Sequence, residues 1–152
     1  MGPIKVLIAD DDESIVWVLE KLLMEKGLET VSAKDGTEAA EALSGSIQLA
    51  LLDINMPGKD GLRLLTEAKE AGREASFIMM TAESTMKNTL EAMRLGAFDY
   101  ITKPFDLGEL EVTIDKALEN IRLKGKVTAL TERLKEHLSG ETVFIGKSKA
   151  VE

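Results

Sequence analysis

The chain has 152 residues, the usual size of one globular domain with at most a short appended element. Apolar residues make up 44% and charged residues 30%, enough to bury a core and unlike a disordered segment. The 27 acidic against 19 basic residues give a net charge of −8, which argues against direct nucleic-acid binding; the absence of cysteine excludes disulfides and thiolate metal sites, and a single histidine, His137, excludes histidine-rich metal chemistry.

The start, Met1-Gly2-Pro3, leads directly into apolar residues without a secretory signal pattern, and nowhere do about eighteen consecutive apolar residues occur. A soluble, cytoplasmic protein away from the membrane is expected, and the lack of cysteine fits that compartment. In chain order, Ile4 to Ala9 reads as a strand, Glu13 to Lys26 as an amphipathic helix, Leu28 to Ala33 as a strand and Thr37 to Leu43 as a helix. Ile47 to Asp53 follows as a nearly all-apolar strand, then Leu62 to Ala71 as helix, Ser76 to Thr81 as strand, Thr85 to Leu95 as helix and Ala97 to Thr102 as a fifth strand. Gly27, Gly36, Gly72 and Gly96 punctuate these elements at helix ends. Strands apolar on both faces and separated by helices imply a parallel sheet covered on both sides, an α/β doubly wound sandwich with right-handed crossovers.

After Pro104 a helical pattern runs through Leu110, Ile114, Leu118 and Ile121, then Val127, Leu130, Leu134 and Leu138, with its apolar register slipping near Lys124 and Gly125. This reads as a domain helix extended into a linker helix, which either folds back on its own domain or pairs two chains as a coiled coil. Ser139-Gly140 is expected to break it, and Val143-Phe144-Ile145-Gly146 resembles the first strand of a truncated further domain. Gly146-Lys147-Ser148 looks like the end of a phosphate-binding loop, but Glu141 stands where that loop needs glycine, so nucleotide binding there is rejected.

In open parallel sheets ligands bind at the carboxyl ends of strands, where strand order reverses. Here those ends carry Asp10-Asp11-Asp12, Asp53, Thr81 and Lys103-Pro104. Carboxylates gathered on one rim repel, and burial disfavours their charge, so the cluster needs a cation or must partly protonate; magnesium resolves the conflict, since it suits hard oxygen ligands and keeps waters for a phosphate partner. A carboxylate can attack phosphorus to form an acyl phosphate once anionic repulsion is neutralised, and Asp53 is the candidate nucleophile. Lys103 would set a point charge against phosphoryl oxygens, and Thr81 would offer a hydroxyl.

The acidic group after the first strand, Asp53-Ile54-Asn55-Met56-Pro57-Gly58-Lys59-Asp60-Gly61, Thr81-Ala82 and Lys103-Pro104-Phe105 stand in the order and spacing of bacterial receiver domains, which this chain resembles from Ile4 to about Asn120. The resemblance implies a CheY-like, flavodoxin-like five-stranded parallel sheet. It implies Asp53 as phosphoacceptor for a sensor histidine kinase, a Mg2+ site of Asp10, Asp11, Asp53 and the Asn55 carbonyl, and a phosphoryl group read by Thr81 and Lys103. Tyr100 matches the aromatic switch position, the bond before Pro104 is expected to be cis, and the chain is expected to be a phosphoacceptor without multiple turnover. Trp17, the aspartate triplet and Phe144-Ile145-Gly146-Lys147-Ser148 look most like NtrC-type, sigma-54-dependent regulators. That narrower likeness implies a receiver domain over 1–120, a linker helix over 121–139, the start of an AAA+ ATPase domain over 140–152, and a homodimer through the fourth helix, fifth strand and fifth helix or through the linker.

Each of these residues also has a simpler reading. Asp12 or Glu13 serves equally well as the N-cap of the first helix, Thr81 as a helix start, Lys103 as a surface charge and Tyr100 as edge-strand packing. Met56, Met79, Met80, Met86 and Met93 are core fillers or a partner face. The rival chemistry is a haloacid-dehalogenase-like phosphatase with Asp10 as nucleophile, since Asp10-Asp11-Asp12-Glu13-Ser14 fits that family's loose pattern. A non-phosphorylated receiver used only for dimerisation is disfavoured because every acidic position is filled.

Overall fold

The structure, a computed structural model, describes residues 3–82 and 86–141. The strands are β1 (Lys5–Ala9), β2 (Glu29–Ala33), β3 (Leu49–Asp53), β4 (Ser76–Thr81) and β5 (Asp99–Thr102), and the helices are α1 (Glu13–Glu25), α2 (Gly36–Leu43), α3 (Gly61–Glu70), α4 (Met86–Arg94) and α5 (Leu107–Glu141). All five strands are parallel in the order β2-β1-β3-β4-β5. Each strand and helix expected between Ile4 and Thr102 is present. Strand order reverses at β1, between β2 and β3, and this is the switch point of the sheet.

The interiors of the central strands, residues 49–52 and 77–80, lack polar positions because both faces are covered. Every residue of β3 and of β4 is buried. On one face Leu7, Ala50, Leu52, Phe77 and Met79 pack with Leu43 of α2, Leu64 of α3 and Ala92 of α4. Period-two alternation sends Val6, Ile8, Leu49, Leu51, Ile78 and Met80, all buried, to the opposite face. Leu19 and Leu23 of α1 and Leu110 and Ile114 of α5 are buried too, and Lys26 at the end of α1 ties the two helices through Asp115 at 2.9 Å and Glu111 at 3.2 Å. Among the methionines, Met56, Met79 and Met80 are core, whereas Met93 is exposed.

Three aspartates set helix starts. Asp12, Asp35 and Asp60 are the N-caps of α1, α2 and α3, accepting from the N–H groups of Ser14, Glu38 and Arg63. At the other end of α1 and α3, Gly27 and Gly72 take φ of +79° and +76°, the left-handed conformation glycine adopts without steric cost.

The chain divides into two compact units, residues 1–117 and 118–152. In the second, residues 118–141 are helical throughout, including Lys124 and Gly125, and Leu123, Val127, Leu130 and Leu134 are exposed. The expected break at Ser139-Gly140 is overturned: α5 continues through both residues to Glu141. A glycine inside a helix costs about 1 kcal/mol relative to alanine, too little to end a helix without a capping interaction. Thr85 and residues 142–152, which carry the expected strand at Val143 to Gly146, lie outside the described residues.

Candidate functional site

The sheet brings its polar termini together at the carboxyl edge. β1 delivers Asp10, whose N–H donates to the Ala33 carbonyl of β2 at 3.0 Å, and β3 delivers Asp53 in register with Met80 of β4. Past the end of β5, the Lys103 N–H donates to the Thr81 carbonyl at 2.7 Å, so β4 fixes the backbone from which the lysine reaches inward. The Lys103–Pro104 peptide is cis, as the resemblance implied.

Asp10 and Asp53 are 1% and 5% exposed, a depth at which a carboxylate is rarely found without a partner. Lys103 is that partner for both: its Nζ lies 2.6 Å from Asp10 Oδ2 and donates to Asp53 Oδ2 at 3.1 Å. The other oxygens are held by local main chain, Asp10 Oδ1 accepting from the Asp12 N–H at 2.9 Å and Asp53 Oδ1 from the Asn55 N–H at 3.1 Å. The ion pair to Asp10 Oδ2 is close, yet its angles are not those of a hydrogen bond, so this buried oxygen has no donor directed at it. Asp11 is exposed beside them, and one oxygen from each of Asp10, Asp11 and Asp53 lies within 4.8 Å of the others. Three hard oxygen donors, one of them deeply buried and short of a hydrogen bond, fit a divalent cation such as magnesium.

The electrostatics follow from this crowding. Burial pushes the Asp53 carboxyl above its ordinary value, nearby Asp10 adds to the rise, and the Asn55 N–H and Lys103 offset it only in part. Burial works against the Lys103 charge, but Asp10 and then Asp53 outweigh it and hold the ammonium above the usual lysine value. Thr81, 1% exposed, ends β4 on the same rim. Asn55, exposed, is the second residue after β3. Tyr100, 39% exposed, is on β5. Asp12 stands apart as a helix cap: its Oδ1 accepts from the Ser14 hydroxyl at 2.6 Å and the Ser14 N–H at 3.0 Å, and the hydroxyl foremost holds its carboxyl below the ordinary value.

Two glycines within the Asp53–Gly61 segment support the site, in roles that the motif alone did not assign. A side chain at Gly61 would collide with the Asp53 carbonyl, so α3 can start against the end of β3 only because this residue has no Cβ. Gly58, at φ +81°, turns the β3–α3 loop; the Pro57-Gly58 pair is the turn signal that could have located it.

A family profile, the response regulator receiver domain, matches residues 6–115. The DNA-binding transcriptional regulator NtrC of Escherichia coli strain K12 is 39% identical over 133 residues, covering 81% of this chain and 28% of that protein. The chain thus spans about a quarter of the length of the NtrC relatives it matches. Among solved structures, a Francisella response regulator receiver domain is 31% identical with a TM-score of 0.72, covering 78% of this chain and 98% of the other. NtrX from Brucella abortus is 32% identical with a TM-score of 0.75, covering 85% of this chain and 30% of the other.

Proposed function

The chain belongs to the response regulator receiver domain family of two-component systems, and from that membership we propose that it is the phosphorylation-controlled input of an NtrC-type, sigma-54-dependent regulator, with Asp53 as the phosphoacceptor. The observation that carries this reading is the buried Asp53 carboxylate at the switch point, held by Lys103 at 3.1 Å and grouped with Asp10 and Asp11. A magnesium ion held by Asp10, Asp11, Asp53 and the Asn55 carbonyl would supply the neutralisation that lets one anion approach another. Asp53 then forms a bond to phosphorus as the P–N bond of a kinase phosphohistidine breaks; the leaving imidazole keeps the electron pair and takes a proton from solvent. Lys103, already charged and inside the pocket, turns to the phosphoryl oxygens, and the Thr81 hydroxyl donates to another.

Conversion to an acyl phosphate draws Thr81 inward, Tyr100 moves from its exposed position into the space released, and the α4-β5-α5 face changes. Leu90 and Met93 of α4, Tyr100 of β5 and Val112 of α5 are exposed there, a supply of apolar surface for a homodimer contact. In this reading residues 1–120 are the receiver, 121–139 the linker helix and 140–152 the start of an AAA+ domain whose assembly the switch controls. The reaction is one phosphorylation per site, not turnover of a substrate pool, and it takes place in the cytoplasm. Among the described residues no helix is long and apolar enough to cross a membrane.

Acetyl phosphate with magnesium should add one phosphoryl group to Asp53, read by peptide mass, and Asp53→Asn should abolish it. Labelling of Asp10 with multiple turnover would instead support the phosphatase mechanism. Beryllofluoride, an acyl phosphate mimic, should change the oligomeric state, and no change would defeat the switch.

A further inference from the structure

The β3–α3 loop, residues 54–60, carries Asn55, and a residue of another element fixes where that loop lies. Gly36, the first residue of α2, donates its N–H to the Pro57 carbonyl at 3.0 Å. A Cβ at Gly36 would overlap the carbonyl oxygen, amide nitrogen and Cα of Lys59. All three are backbone atoms, so none can swing aside as a side-chain end could. From the loop, Gly58 lies 3.7 Å from the Gly36 nitrogen, measured from the position its Cβ would take.

The α2 end of this contact is braced. Asp35 accepts from the Glu38 N–H at 2.8 Å while Glu38 Oε1 accepts from the Lys34 N–H at 3.0 Å, a reciprocal cap. Ala39 and Leu43 then bury the helix in the core. The loop end is braced as well, by Lys59 Nζ on Glu67 of α3 at 2.7 Å and by the Gly61 N–H on the Ile54 carbonyl at 2.9 Å. Two stiff pieces therefore meet backbone to backbone at a point where only glycine fits.

Resting on the phosphoacceptor reading above, we propose that Gly36 is a positioning residue for the cation site: it lets α2 close on the Lys59 backbone and so sets the position of Asn55. Asn55 has two main-chain groups at stake, the N–H that holds Asp53 Oδ1 at 3.1 Å and the carbonyl assigned to magnesium. Moving the loop misdirects both at once, without touching any acidic residue. Supports of this kind typically cost on the order of tenfold in metal affinity when lost.

The test is magnesium affinity of the full chain by titration calorimetry, with thermal melts to verify folding at the titration temperature. Gly36→Ala should weaken binding by roughly tenfold, and Asp35→Ala, which loosens the braced end without adding bulk, should give a smaller loss. Gly27→Ala is the control: its φ of +79° strains any side chain, but open space surrounds it, so it should lower the melting temperature and leave magnesium affinity unchanged. A folded Gly36→Ala chain that binds as wild type does overturns the positioning role alone, as does an equal loss in Gly27→Ala. Where Gly36→Ala fails to fold, Asp35→Ala decides, and undiminished affinity there overturns the role. A wild-type chain that binds no magnesium overturns the phosphoacceptor reading itself, and this role with it.

Discussion

Burial raises the Asp53 carboxyl above its ordinary value, so the folded chain holds the proton on Asp53 more tightly than the unfolded chain does. Ionisation therefore costs the fold stability: the cost is absent below the ordinary carboxylate range, grows as pH rises from there, and is complete once pH has passed the raised value. Asp53→Asn should accordingly raise the thermal midpoint at pH 7 by a few degrees, and the gain should fade as melts are repeated toward acid pH; an Asn variant less stable than wild type at pH 7 would contradict this. Lys103 carries the opposite sign. Its raised value means that its pairing stabilises the fold below the usual lysine range and is lost as pH rises through that value, on the alkaline side. Lys103→Met should cost about 3 kcal/mol at neutral pH, because it leaves two buried carboxylates without their cation. Adding Asp53→Asn should recover part of that loss, because one uncompensated carboxylate is then removed, and denaturant melts of the double-mutant cycle measure this coupling. Asp53, whose ionisation costs the resting fold stability, and Lys103, whose pairing supports it, are the groups that a cation and a phosphoryl group would engage.

Asp12 shows how an element divides labour among adjacent aspartates. Asp10, at the end of β1, turns its carboxylate into the buried rim, while Asp12, two residues later, turns out to cap α1 through Ser14. Asp12→Ala should therefore lower the thermal midpoint by a few degrees and leave magnesium affinity unchanged; weaker magnesium binding in a calorimetric titration would place Asp12 at the site instead. Sequence alone left cap and ligand equally open at Asp12 and Glu13, because both uses need the same residue type at a strand-to-helix junction. β3 and β4 were legible for the converse reason: residues 49–52 and 77–80 have no polar position, and only a strand covered on both faces tolerates that. The start of β5 was read two residues early since Ala97 and Phe98 are apolar, yet they only lead into the strand. Gly36 read as a helix opener and nothing more, as the Lys59 backbone that excludes a side chain there is distant in sequence. Ser139-Gly140 misled because weak helix formers stop a helix only where capping takes over.

At the scale of the whole molecule, two apolar surfaces compete for the role of dimer contact. One is the α4-β5-α5 face with Leu90, Met93, Tyr100 and Val112; the other is the helical stripe of Leu123, Val127, Leu130 and Leu134, spaced four, three and four residues apart and exposed. That spacing matches the seam of a coiled coil, and a helix presenting such a seam would gain stability from a partner helix. A chain stopped at Ile121 keeps the first surface and loses the second. Sedimentation of both lengths, each with and without beryllofluoride, assigns the contact. A dimer of the full chain that becomes a monomer on truncation, whatever the beryllofluoride, places the seam in the linker helix. A truncated chain that dimerises only with beryllofluoride places the switched contact on the α4-β5-α5 face. Equal monomeric mass for both lengths under all conditions removes the coiled-coil proposal, and with a net charge of −8 to keep identical chains apart, the titration is best repeated at higher salt, where repulsion of that kind is screened.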